Sequence, residues 1–573
     1  MTTSVLEEPK IETAEKPEII DQYLGDVEHP IEWKDEAEKQ LHFWYDDPHN
    51  PQPVSPMYYD LGAWWATCAY MYRRFGAPFG KDWVAKNVDE YVLTAIVPRD
   101  AKDAADIAPY YNMVMPVYAD KFLGWWKSRL LPEIKRNFEY LDTFDMENAC
   151  LAECMILLED MIDIQERHFR LHWILNLAQF QASLTFNGDV AKYIGPGHDG
   201  LIGRILVSDE DRNWDSIREL WNMKGTIKKS PVLLAVFKKP TEEVLGELTK
   251  SAEGKDLLKK IHAYAFEYGN KAMYTHEFVH ETWRENPTPV AAALKGYVES
   301  DYDYPQAVQH LREDRAKAIE ELWVLFPKDG SAADREALQK SLDLALKMTP
   351  LTPDHHFYMD QGTYARTHLV LMGIGRKLAK AGVLNEPMDV MYLVYDELRK
   401  LSANFKLFDA KALVKARRAK RDAAFNHKGQ LWCGTITHWS LFEEPYKALW
   451  GWPDVYLNRA ERADLPKGSL VGLGVSAGTV EGIAHVVRTP AQFDEVQKGE
   501  ILVCQMTNPA WVVLFTKIAA VVTDSGGALS HPAVVAREFH IPAVVGTINA
   551  TEKLKTGQKI RVDGLKGTVE IIG

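Results

Sequence analysis

The stretch TDSGGALSHPAVVARE, from Thr523 to Glu538, places His531 between a glycine pair and a proline. The preceding run AAVV is typical of a short buried strand, and the run HPAVVAREF has the spacing of a helix. Gly526 and Gly527 let the backbone turn sharply and approach a ligand without a side chain in the way. The stretch therefore predicts a strand, a glycine turn and a helix, with His531 where the helix begins.

The predicted start of this helix has the chemistry of an anion site. Ser530 and His531 precede Pro532, which suits the first helical position because it has no N–H to leave unpaired. Free N–H groups and the positive end of the helix dipole face outward there. A neutral imidazole so placed is a good nucleophile towards phosphorus, and Arg537 is a candidate to neutralise further charge. From the residues alone, a histidine that merely caps a helix is an equally weighted alternative.

Composition and charge describe an ordinary globular protein. The 573 residues suffice for roughly two to four domains, and 46% of them are apolar. A net charge of −14 argues against a nucleic-acid-binding surface. The first 38 residues are acidic and lack the apolar core of a signal peptide, and no apolar run approaches the ~18 residues of a membrane span. We therefore expect a cytoplasmic protein with a flexible acidic tail at 1–38, and neither nucleic acid nor membrane as a partner.

Two segments with different periodicity follow the tail. From 39 to 440, apolar residues recur every three or four positions, as in ENACLAECMILLEDMIDIQERHFRLHWILNLAQF and ADREALQKSLDLALKM, which predicts a mostly α-helical domain. From 466 to 573, short β-rich runs such as EILVCQ, AAVVTD and KIRVDG alternate with turns, which predicts a small α/β domain. Residues 441–465, which contain proline, tryptophan and charged residues, are the predicted linker.

The C-terminal segment resembles a known family. GGALSHPAVVAREFHIPAVVG is similar to the signature of the phosphohistidine swivelling domain shared by phosphoenolpyruvate-utilising enzymes. GLGVSAGTVEGIAHVV, ILVCQMTNPAW and IRVDGLKGTVEI are similar to the opening strands, the Thr-x-Pro loop and the closing hairpin of that domain. The resemblance implies that His531 is phosphorylated during turnover. It also implies a set of phosphate-binding residues, namely Thr507, Gly526, Gly527, Ser530 and Arg537.

The helical segment resembles the acceptor-binding domain of rifampicin phosphotransferase. LHFWYDDPHNPQPVSPMYYDL is similar to the start of that domain, and YGNKAMYTHEFVHETWRENP and LTPDHHFYMDQ are similar to later parts of it. Rifampicin phosphotransferase has an ATP-grasp domain on the same chain, whereas phenylphosphate synthase and the alkylphenol (cresol) phosphate synthases use a separate ATP-grasp subunit. The chain resembles the histidine-bearing subunit of those synthases. The implied fold is multidomain: a large, mostly α-helical acceptor-binding domain followed by a small α/β swivelling phosphohistidine domain.

The phosphate donor is expected on another polypeptide. The sequence has no P-loop motif, the helical segment lacks the strand-rich pattern of an ATP-grasp domain, and no pyruvate-binding barrel follows His531. We therefore expect ATP and Mg²⁺ to be bound by a separate ATP-grasp subunit, with no cofactor held tightly by this chain. The resemblance implies that ATP, a phenol or alkylphenol and water give an aryl phosphate, AMP and phosphate. Two alternatives stay open: an antibiotic or other hydroxylated acceptor, and a phosphorelay carrier that phosphorylates a protein.

The sequence offers several candidate residues for the acceptor site. HEFVH, at 276–280, matches the HExxH pattern of zinc proteases, with Glu299 as a candidate third ligand. The following RENPTP interrupts the helix that such a site needs, so no metal site is predicted. Because this motif and the pair HH at 355–356 lie in the acceptor-like segment, they are candidates to contact an acceptor or take its proton, with simple packing as the alternative. The candidate residues are His276, Glu277, His280, His355 and His356.

Overall fold

The computed structural model describes most of the chain. The described residues are 43–46, 50, 52–62, 65–427, 432–434, 468–488, 492–493, 495–507, 511–527 and 530–572. The predicted tail at 1–38 and the predicted linker at 441–465 lie outside the described residues, as do Asn508 and Pro509 of the predicted Thr-x-Pro loop.

The chain divides into two compact units, each built from several stretches of sequence. The first unit comprises Met1–Leu177, Thr275–His280 and Tyr358–Glu443, and the second comprises Ala178–Tyr274, Glu281–Phe357 and Glu444–Gly573. The segment predicted to be helical therefore contributes to both units, and part of it shares the second unit with the C-terminal α/β domain. The domain limits predicted from the sequence, 39–440 and 466–573, stay predictions.

Helices make up most of the described chain between 56 and 424. Their bounds are α1 (Pro56–Leu61), α2 (Trp65–Phe75), α3 (Ala101–Trp125), α4 (Leu131–Thr143), α5 (Leu151–Tyr193), α6 (Asp199–Ile205), α7 (Arg212–Lys229), α8 (Pro231–Phe237), α9 (Thr241–Leu248), α10 (Ala252–Tyr268), α11 (Thr288–Glu299), α12 (Tyr304–Leu325), α13 (Ala332–Met348), α14 (Leu351–His355), α15 (Gly362–Lys380), α16 (Tyr395–Ala403) and α17 (Ala410–Ala424). The helices predicted from the two periodic runs are confirmed as α5 and α13. None of the described helices is both long enough and apolar enough to cross a bilayer.

Local sequence accounts for several helix ends. Ser331 accepts a hydrogen bond from Asp334 N at the start of α13, at a distance of 3.1 Å, which satisfies one of the donors that the first turn leaves unpaired. Gly382 follows α15 with φ of +75°, a left-handed conformation that glycine adopts without steric cost. π-helical turns at Trp126–Leu130 and His356–Gln361 and a 3-10 turn at Pro387–Tyr392 complete the helical elements.

A four-stranded antiparallel sheet lies in the first unit. Its strands are β1 (Phe43–Asp46), β2 (Asp82–Val88), β3 (Tyr91–Val97) and β4 (Trp432–Gly434), in the order β2-β3-β1-β4. The sequence analysis did not predict this sheet within the mostly helical segment. β1 and β4 are too short to show a periodic pattern, and they pair with each other from opposite ends of the first unit's sequence.

The C-terminal α/β domain contains an eight-stranded mixed sheet in the order β5-β12-β11-β7-β8-β9-β10-β6. Its strands are β5 (Leu470–Val471), β6 (Leu473–Ser476), β7 (Thr479–Val487), β8 (Ile501–Cys504), β9 (Ala520–Thr523), β10 (Ala543–Val545), β11 (Lys559–Asp563) and β12 (Thr568–Ile571). Its helices are α18 (Val512–Phe515), α19 (His531–Glu538) and α20 (Ala550–Lys553). Strands β7 to β10 pair in parallel, and β11 and β12 form the predicted closing hairpin.

Both faces of the parallel strands are buried. Leu502 of β8 and Val521 of β9 pack on the side of α18 and α19, together with Leu514 and Ala533. The alternate strand residues, such as Val503, pack on the opposite side, where α20 lies. Successive strand side chains point to opposite faces, so burial of both faces explains why these strands are continuous apolar runs.

Truncation of Leu502 should destabilise this domain by the loss of core packing. Leu502 is fully buried, and Leu502→Ala is expected to lower the free energy of unfolding by about 2–5 kcal/mol. Leu565→Ala is the matched control, because Leu565 lies in the β11–β12 turn and its side chain is 74% exposed; its effect should stay within about 0.5 kcal/mol. Urea unfolding of the full chain measures both, and equal losses for the two variants would contradict the assigned core.

Candidate active site

The glycine turn and the first turn of α19 place His531 at the carboxyl edge of the sheet. His531 is the first residue of α19 and Pro532 the second, one position later than expected for the proline. Ser530 precedes the helix in an extended conformation, and its hydroxyl donates to Gly527 O at 2.8 Å. The predicted strand, turn and helix are thus confirmed. Ser530 rigidifies the turn rather than capping the helix through its side chain.

Gly526 is required by the backbone of this turn. Its φ of +124° is in the region that favours glycine, and a Cβ there would lie 2.7 Å from Ser530 Oγ. The start of the turn is tied to the sheet by Asp524, whose carboxylate accepts hydrogen bonds from Thr551 N and Thr551 Oγ1. These contacts hold Asp524 and Gly526 at the start of the turn.

The hydroxyl group of Thr507 contacts the imidazole ring of His531. Thr507 Oγ1 and His531 Nδ1 are 2.8 Å apart, and Thr507 is 2% exposed. Thr507 follows β8, while the glycine turn follows β9, and the two strands are parallel, with Cys504 paired to Thr523. Because parallel strands end at the same edge of a sheet, the loops after them converge there. This contact brings together two of the predicted site residues.

The hydrogen bond to Thr507 leaves the other ring nitrogen of His531 for chemistry. When Nδ1 is protonated it donates to Thr507 Oγ1, and the lone pair is then on Nε2. The ring of Phe515 also contacts His531 edge-on, with the ring centroids 6.4 Å apart. The imidazole is therefore oriented by one hydrogen bond and one ring contact.

The environment of His531 favours the neutral imidazole. The pKa of His531 is lowered from 6.5 to about 3, chiefly by burial, and the positive charge of Lys271 and that of His356 when it is protonated act in the same direction. All three residues belong to the second unit. A histidine with this pKa is unprotonated at neutral pH, which is the form that can act as a nucleophile.

His356 is the predicted acceptor-side residue that lies near His531. It follows α14, and its ring contacts that of His355, with the centroids 4.0 Å apart. His355 itself is buried and its Nδ1 lies 3.2 Å from Leu351 O. His356 therefore lies near His531, whereas His355 is buried and contacts His356.

Lys271 was not singled out by the sequence analysis. It lies in YGNKAMYTHEFVH, a stretch quoted for its resemblance to the acceptor-binding domain, but an isolated lysine has no spacing pattern that marks a site. Its Nζ lies 3.4 Å from Ser216 Oγ and 5.3 Å from the centre of the Trp283 ring. Its proximity to His531 depends on tertiary structure alone.

Helices of the second unit pack against the part of the α/β domain around His531. The rings of Tyr302 and Phe539 stack with centroids 5.4 Å apart, and those of His310 and His540 meet edge-on at 4.6 Å. Gly296 of α11 approaches α18 so closely that a Cβ would lie 2.7 Å from Thr516 Oγ1. Helices of the second unit therefore pack against α18 and against the end of α19, the helix that begins with His531.

Arg537, the predicted phosphate-binding arginine, makes a hydrogen bond to the backbone of β6. It is six residues after His531, about one and two-thirds turns along α19, so its side chain leaves the helix from another side. Its Nη1 donates to Val475 O at 3.3 Å, and it lines a small cavity of about 40 Å³ with Gln179 and Asp211. A contact of Arg537 with the phosphate stays a prediction.

The HEFVH residues belong to the first unit and form turns rather than a helix. The spacing of a helical HExxH zinc site is therefore not present. Glu277 accepts hydrogen bonds from Ser55 N at 2.7 Å and from Ser55 Oγ at 2.6 Å, which ties two loops together. His276 Nδ1 lies 3.3 Å from Tyr58 OH, and burial lowers the pKa of His280 to about 3.

Two regions of the chain match described protein domains. Residues 496–567 match the PEP-utilising enzyme, mobile domain, and residues 179–351 match the rifampicin phosphotransferase fourth domain. The first region contains both Thr507 and His531. The second contains Lys271 and most of the helical part of the second unit.

Three curated proteins illustrate the relatives of the chain. An uncharacterized phosphotransferase of Bacillus subtilis (strain 168), YvkC, is 30% identical over 383 residues, which cover 66% of this chain and 44% of that protein. Chondramide synthase cmdD of Chondromyces crocatus is 27% identical over 566 residues, 95% of this chain and 14% of that protein. Rifampicin phosphotransferase of Bacillus cereus is 26% identical over 454 residues, 77% of this chain and 48% of that protein.

The chain spans less than half the length of each of these relatives. They support a relationship to phosphotransferases of the rifampicin phosphotransferase type, while the resemblance to phenylphosphate synthase finds no support among them. The chain therefore contains a PEP-utilising enzyme mobile domain, which includes His531, and a region of the rifampicin phosphotransferase fourth-domain type.

Proposed function

We propose that the protein is a phosphotransferase that carries a phosphoryl group on His531 Nε2 and gives it to a hydroxyl of a small organic acceptor. The observation that carries this proposal is the 2.8 Å contact between Thr507 Oγ1 and His531 Nδ1, in a ring whose low pKa keeps it neutral. The matches to the mobile domain and to rifampicin phosphotransferase support the same chemistry.

In the first step, His531 Nε2 attacks a phosphorus atom of the donor. The Nε2–P bond forms, the P–O bond to the leaving group breaks, and the electron pair stays on the leaving oxygen. Nδ1 keeps its proton and donates to Thr507 Oγ1, which stabilises the positive charge that the ring acquires. With ATP as donor, the β,γ-diphosphoryl group would pass to His531 as AMP leaves, and water would then release phosphate.

In the second step, the acceptor oxygen attacks the phosphorus on His531. The P–Nε2 bond breaks and its electron pair returns to the ring, which becomes neutral imidazole again. The hydroxyl proton needs a base, which must be a neutral imidazole or a carboxylate, and His356 is the predicted acceptor-side residue that lies near His531. We assign His356 that role in the proposal.

The proposal also names the molecule that supplies the phosphoryl group and the class of molecule that receives it. ATP and Mg²⁺ would be bound by a separate ATP-grasp subunit, as the sequence analysis expected. The relative from Bacillus cereus is named rifampicin phosphotransferase, and this similarity favours a hydroxyl group of an antibiotic as the acceptor. Aromatic side chains in the second unit, including Tyr268, Trp283 and Phe357, favour a ring-bearing acceptor, which keeps a phenol or alkylphenol as the second candidate.

An acceptor panel distinguishes these possibilities. The full chain would be loaded with phosphoramidate, from which His531 Nε2 displaces ammonia, so that no donor subunit is needed. The loaded protein is then mixed with rifampicin, phenol or p-cresol, and the products are followed by phosphorus NMR and mass spectrometry. A phosphate monoester of a small molecule is expected. Phosphate found on another protein instead would favour the phosphorelay alternative.

Replacement of His531 should abolish phosphoryl transfer and leave the fold intact. His531→Asn keeps a similar size but removes the nucleophilic nitrogen, so we expect no phosphate at residue 531 and no phosphorylated acceptor. The matched control is His262→Asn, because His262 is an exposed histidine of α10 in the same unit. Phosphopeptide mapping checks the result, and undiminished transfer by His531→Asn would refute the proposal.

Replacement of Thr507 should slow the loading of His531. Thr507→Val keeps the shape but removes the hydroxyl that accepts from Nδ1, and loss of such a hydrogen bond costs about 1–3 kcal/mol, or roughly a 5- to 150-fold lower rate. Thr507→Ser keeps the hydroxyl and should load nearly as fast as the native protein. The nitrogen NMR shifts of the His531 ring report the tautomer directly, and a wild-type tautomer in Thr507→Val would contradict the assigned role.

The low pKa of His531 predicts its behaviour with pH. In the unfolded chain the ring titrates near the usual ~6.5, whereas in the folded chain its pKa is about 3. The contribution of His531 to the free energy of unfolding is therefore present above pH 6.5 and is lost as the pH falls from 6.5 towards 3. Proton NMR of the folded protein should show no titration of this ring between pH 5 and 8, and a midpoint near 6.5 would show that the environment is wrongly assigned.

A further inference from the structure

Asp524 lies where β9 ends and the glycine turn begins, and it is joined to three other segments of the C-terminal domain. Its backbone N donates to Cys504 O at 3.1 Å, and its backbone O accepts from Ile548 N at 2.8 Å. Its carboxylate accepts hydrogen bonds from Thr551 N, at 2.9 Å, and from Thr551 Oγ1. One buried residue therefore connects the turn before His531 to the end of β8, to the loop after β10 and to α20.

The loop after β10 lies against the glycine turn. Gly546 has a φ of +66°, and a Cβ there would lie 2.9 Å from Gly526 O. Thr547 donates to Thr523 O through its backbone N, at 3.0 Å, and through its hydroxyl group, at 2.8 Å. Ile548 has a φ of +75°, which a β-branched residue adopts only where surrounding contacts impose it. The conformation of this loop is therefore tied to the end of β9 and to the turn.

The start of the turn is also tied to the segment that carries Thr507. Ser525 N donates to Gln505 O at 2.9 Å, which continues the pairing of β8 and β9 beyond the ends of both strands. Thr507 lies further along the first of these segments, and His531 further along the second. A displacement of the turn would therefore change the 2.8 Å distance between Thr507 Oγ1 and His531 Nδ1.

The carboxylate of Asp524 is the part of this junction that a side chain supplies. Hydrogen bonds to an ionised carboxylate are stronger than those between neutral groups, and here they join the turn to α20. Removal of the carboxylate would take this acceptor away from Thr551 N and Thr551 Oγ1. Because a misplacement of about 1 Å can slow a reaction about 100-fold, loss of this attachment should slow the chemistry of His531 in a domain that is still folded.

We propose that Asp524 is a positioning residue for the phosphorylation of His531. By binding Thr551, its carboxylate holds the glycine turn in the place where the His531 ring reaches Thr507. This inference rests on the proposed function and adds a residue that acts through the turn. Asp524 forms no bond to phosphorus and exchanges no proton, so the bonds formed and broken are those given above.

The test compares three replacements in the full chain. Asp524→Ala removes the carboxylate, whereas Asp524→Asn keeps an oxygen that can accept from Thr551 N. Thr551→Val removes the hydroxyl group and keeps the backbone N–H. Each protein is treated with saturating phosphoramidate, and phosphate at residue 531 is followed by mass spectrometry. Urea unfolding of each variant identifies conditions in which all of them are folded.

Glu500→Ala is the matched control. The carboxylate of Glu500, like that of Asp524, binds one backbone N–H and one side chain, since it accepts from Gln497 N at 2.7 Å and lies 2.9 Å from His485 Nδ1. Glu500 directly precedes β8, at the amino edge of the parallel strands, whereas Asp524 directly follows β9, at the carboxyl edge. The two replacements to alanine therefore remove similar contacts from opposite edges of one sheet.

Loading of His531 should depend on the carboxylate at position 524. We expect Asp524→Ala to load about 10- to 100-fold more slowly than the native protein and Thr551→Val about three- to tenfold more slowly. Asp524→Asn should load faster than Asp524→Ala, and Glu500→Ala should load at the native rate. Native loading by Asp524→Ala, or by Thr551→Val if Asp524→Ala does not fold, would overturn the proposal, as would equal slowing by Glu500→Ala.

A second readout does not require phosphate. The nitrogen NMR shifts of the His531 ring show whether Nδ1 carries the proton, and this tautomer should predominate in the native protein and in Glu500→Ala. In Asp524→Ala we expect a mixture of both tautomers, because the contact with Thr507 is weakened.

The two readouts separate the two proposals. If the native protein loads no phosphate at residue 531, the proposed function fails, and the tautomers still test whether Asp524 positions the ring. If the native protein loads, and Asp524→Ala loads equally well and keeps the native tautomer, the assignment of Asp524 alone fails.

Discussion

The contact between Thr507 Oγ1 and His531 Nδ1 is the interaction on which the candidate active site depends. It selects the ring nitrogen that is left for chemistry, because a protonated Nδ1 places the lone pair on Nε2. The contact exists because β8 and β9 are adjacent parallel strands, so the loops that follow them meet at one edge of the sheet. The buried apolar faces of those strands, and the packing of α19 upon them, hold both partners in place.

The electrostatic surroundings of His531 suit a nucleophile that accepts an anion. Burial is the main cause that keeps the ring neutral, and the positive charge of Lys271 acts in the same direction. The packing of Tyr302 on Phe539 and of Gly296 on Thr516 places helices of the second unit against α18 and the end of α19, and those helices lie in the region that matches the rifampicin phosphotransferase fourth domain.

Sequence reasoning predicted the strand, turn and helix that hold His531, but it named only some of the residues that lie around it. The strand, glycine turn and helix around His531 were predicted because each has a local signal: an apolar run, two glycines and a proline. Arg537 was expected near the phosphate from its closeness in sequence, and that contact stays a prediction, while the structure shows a hydrogen bond from Arg537 to Val475 O. Glu277 was a candidate acid or base, and the structure shows its carboxylate bound to Ser55.

The sequence by itself determined the strands, turns and helix of the mobile domain and the placement of His531 at a helix start, since apolar runs, turn glycines and a helix-starting proline act over a few residues. Tertiary structure alone decided that Lys271 and His356 lie near His531, and that β1 pairs with β4. These contacts join residues far apart in the chain, and a single lysine or a three-residue strand has no local pattern to reveal its partner. Long-range packing, rather than spacing, assembles the charges around the histidine.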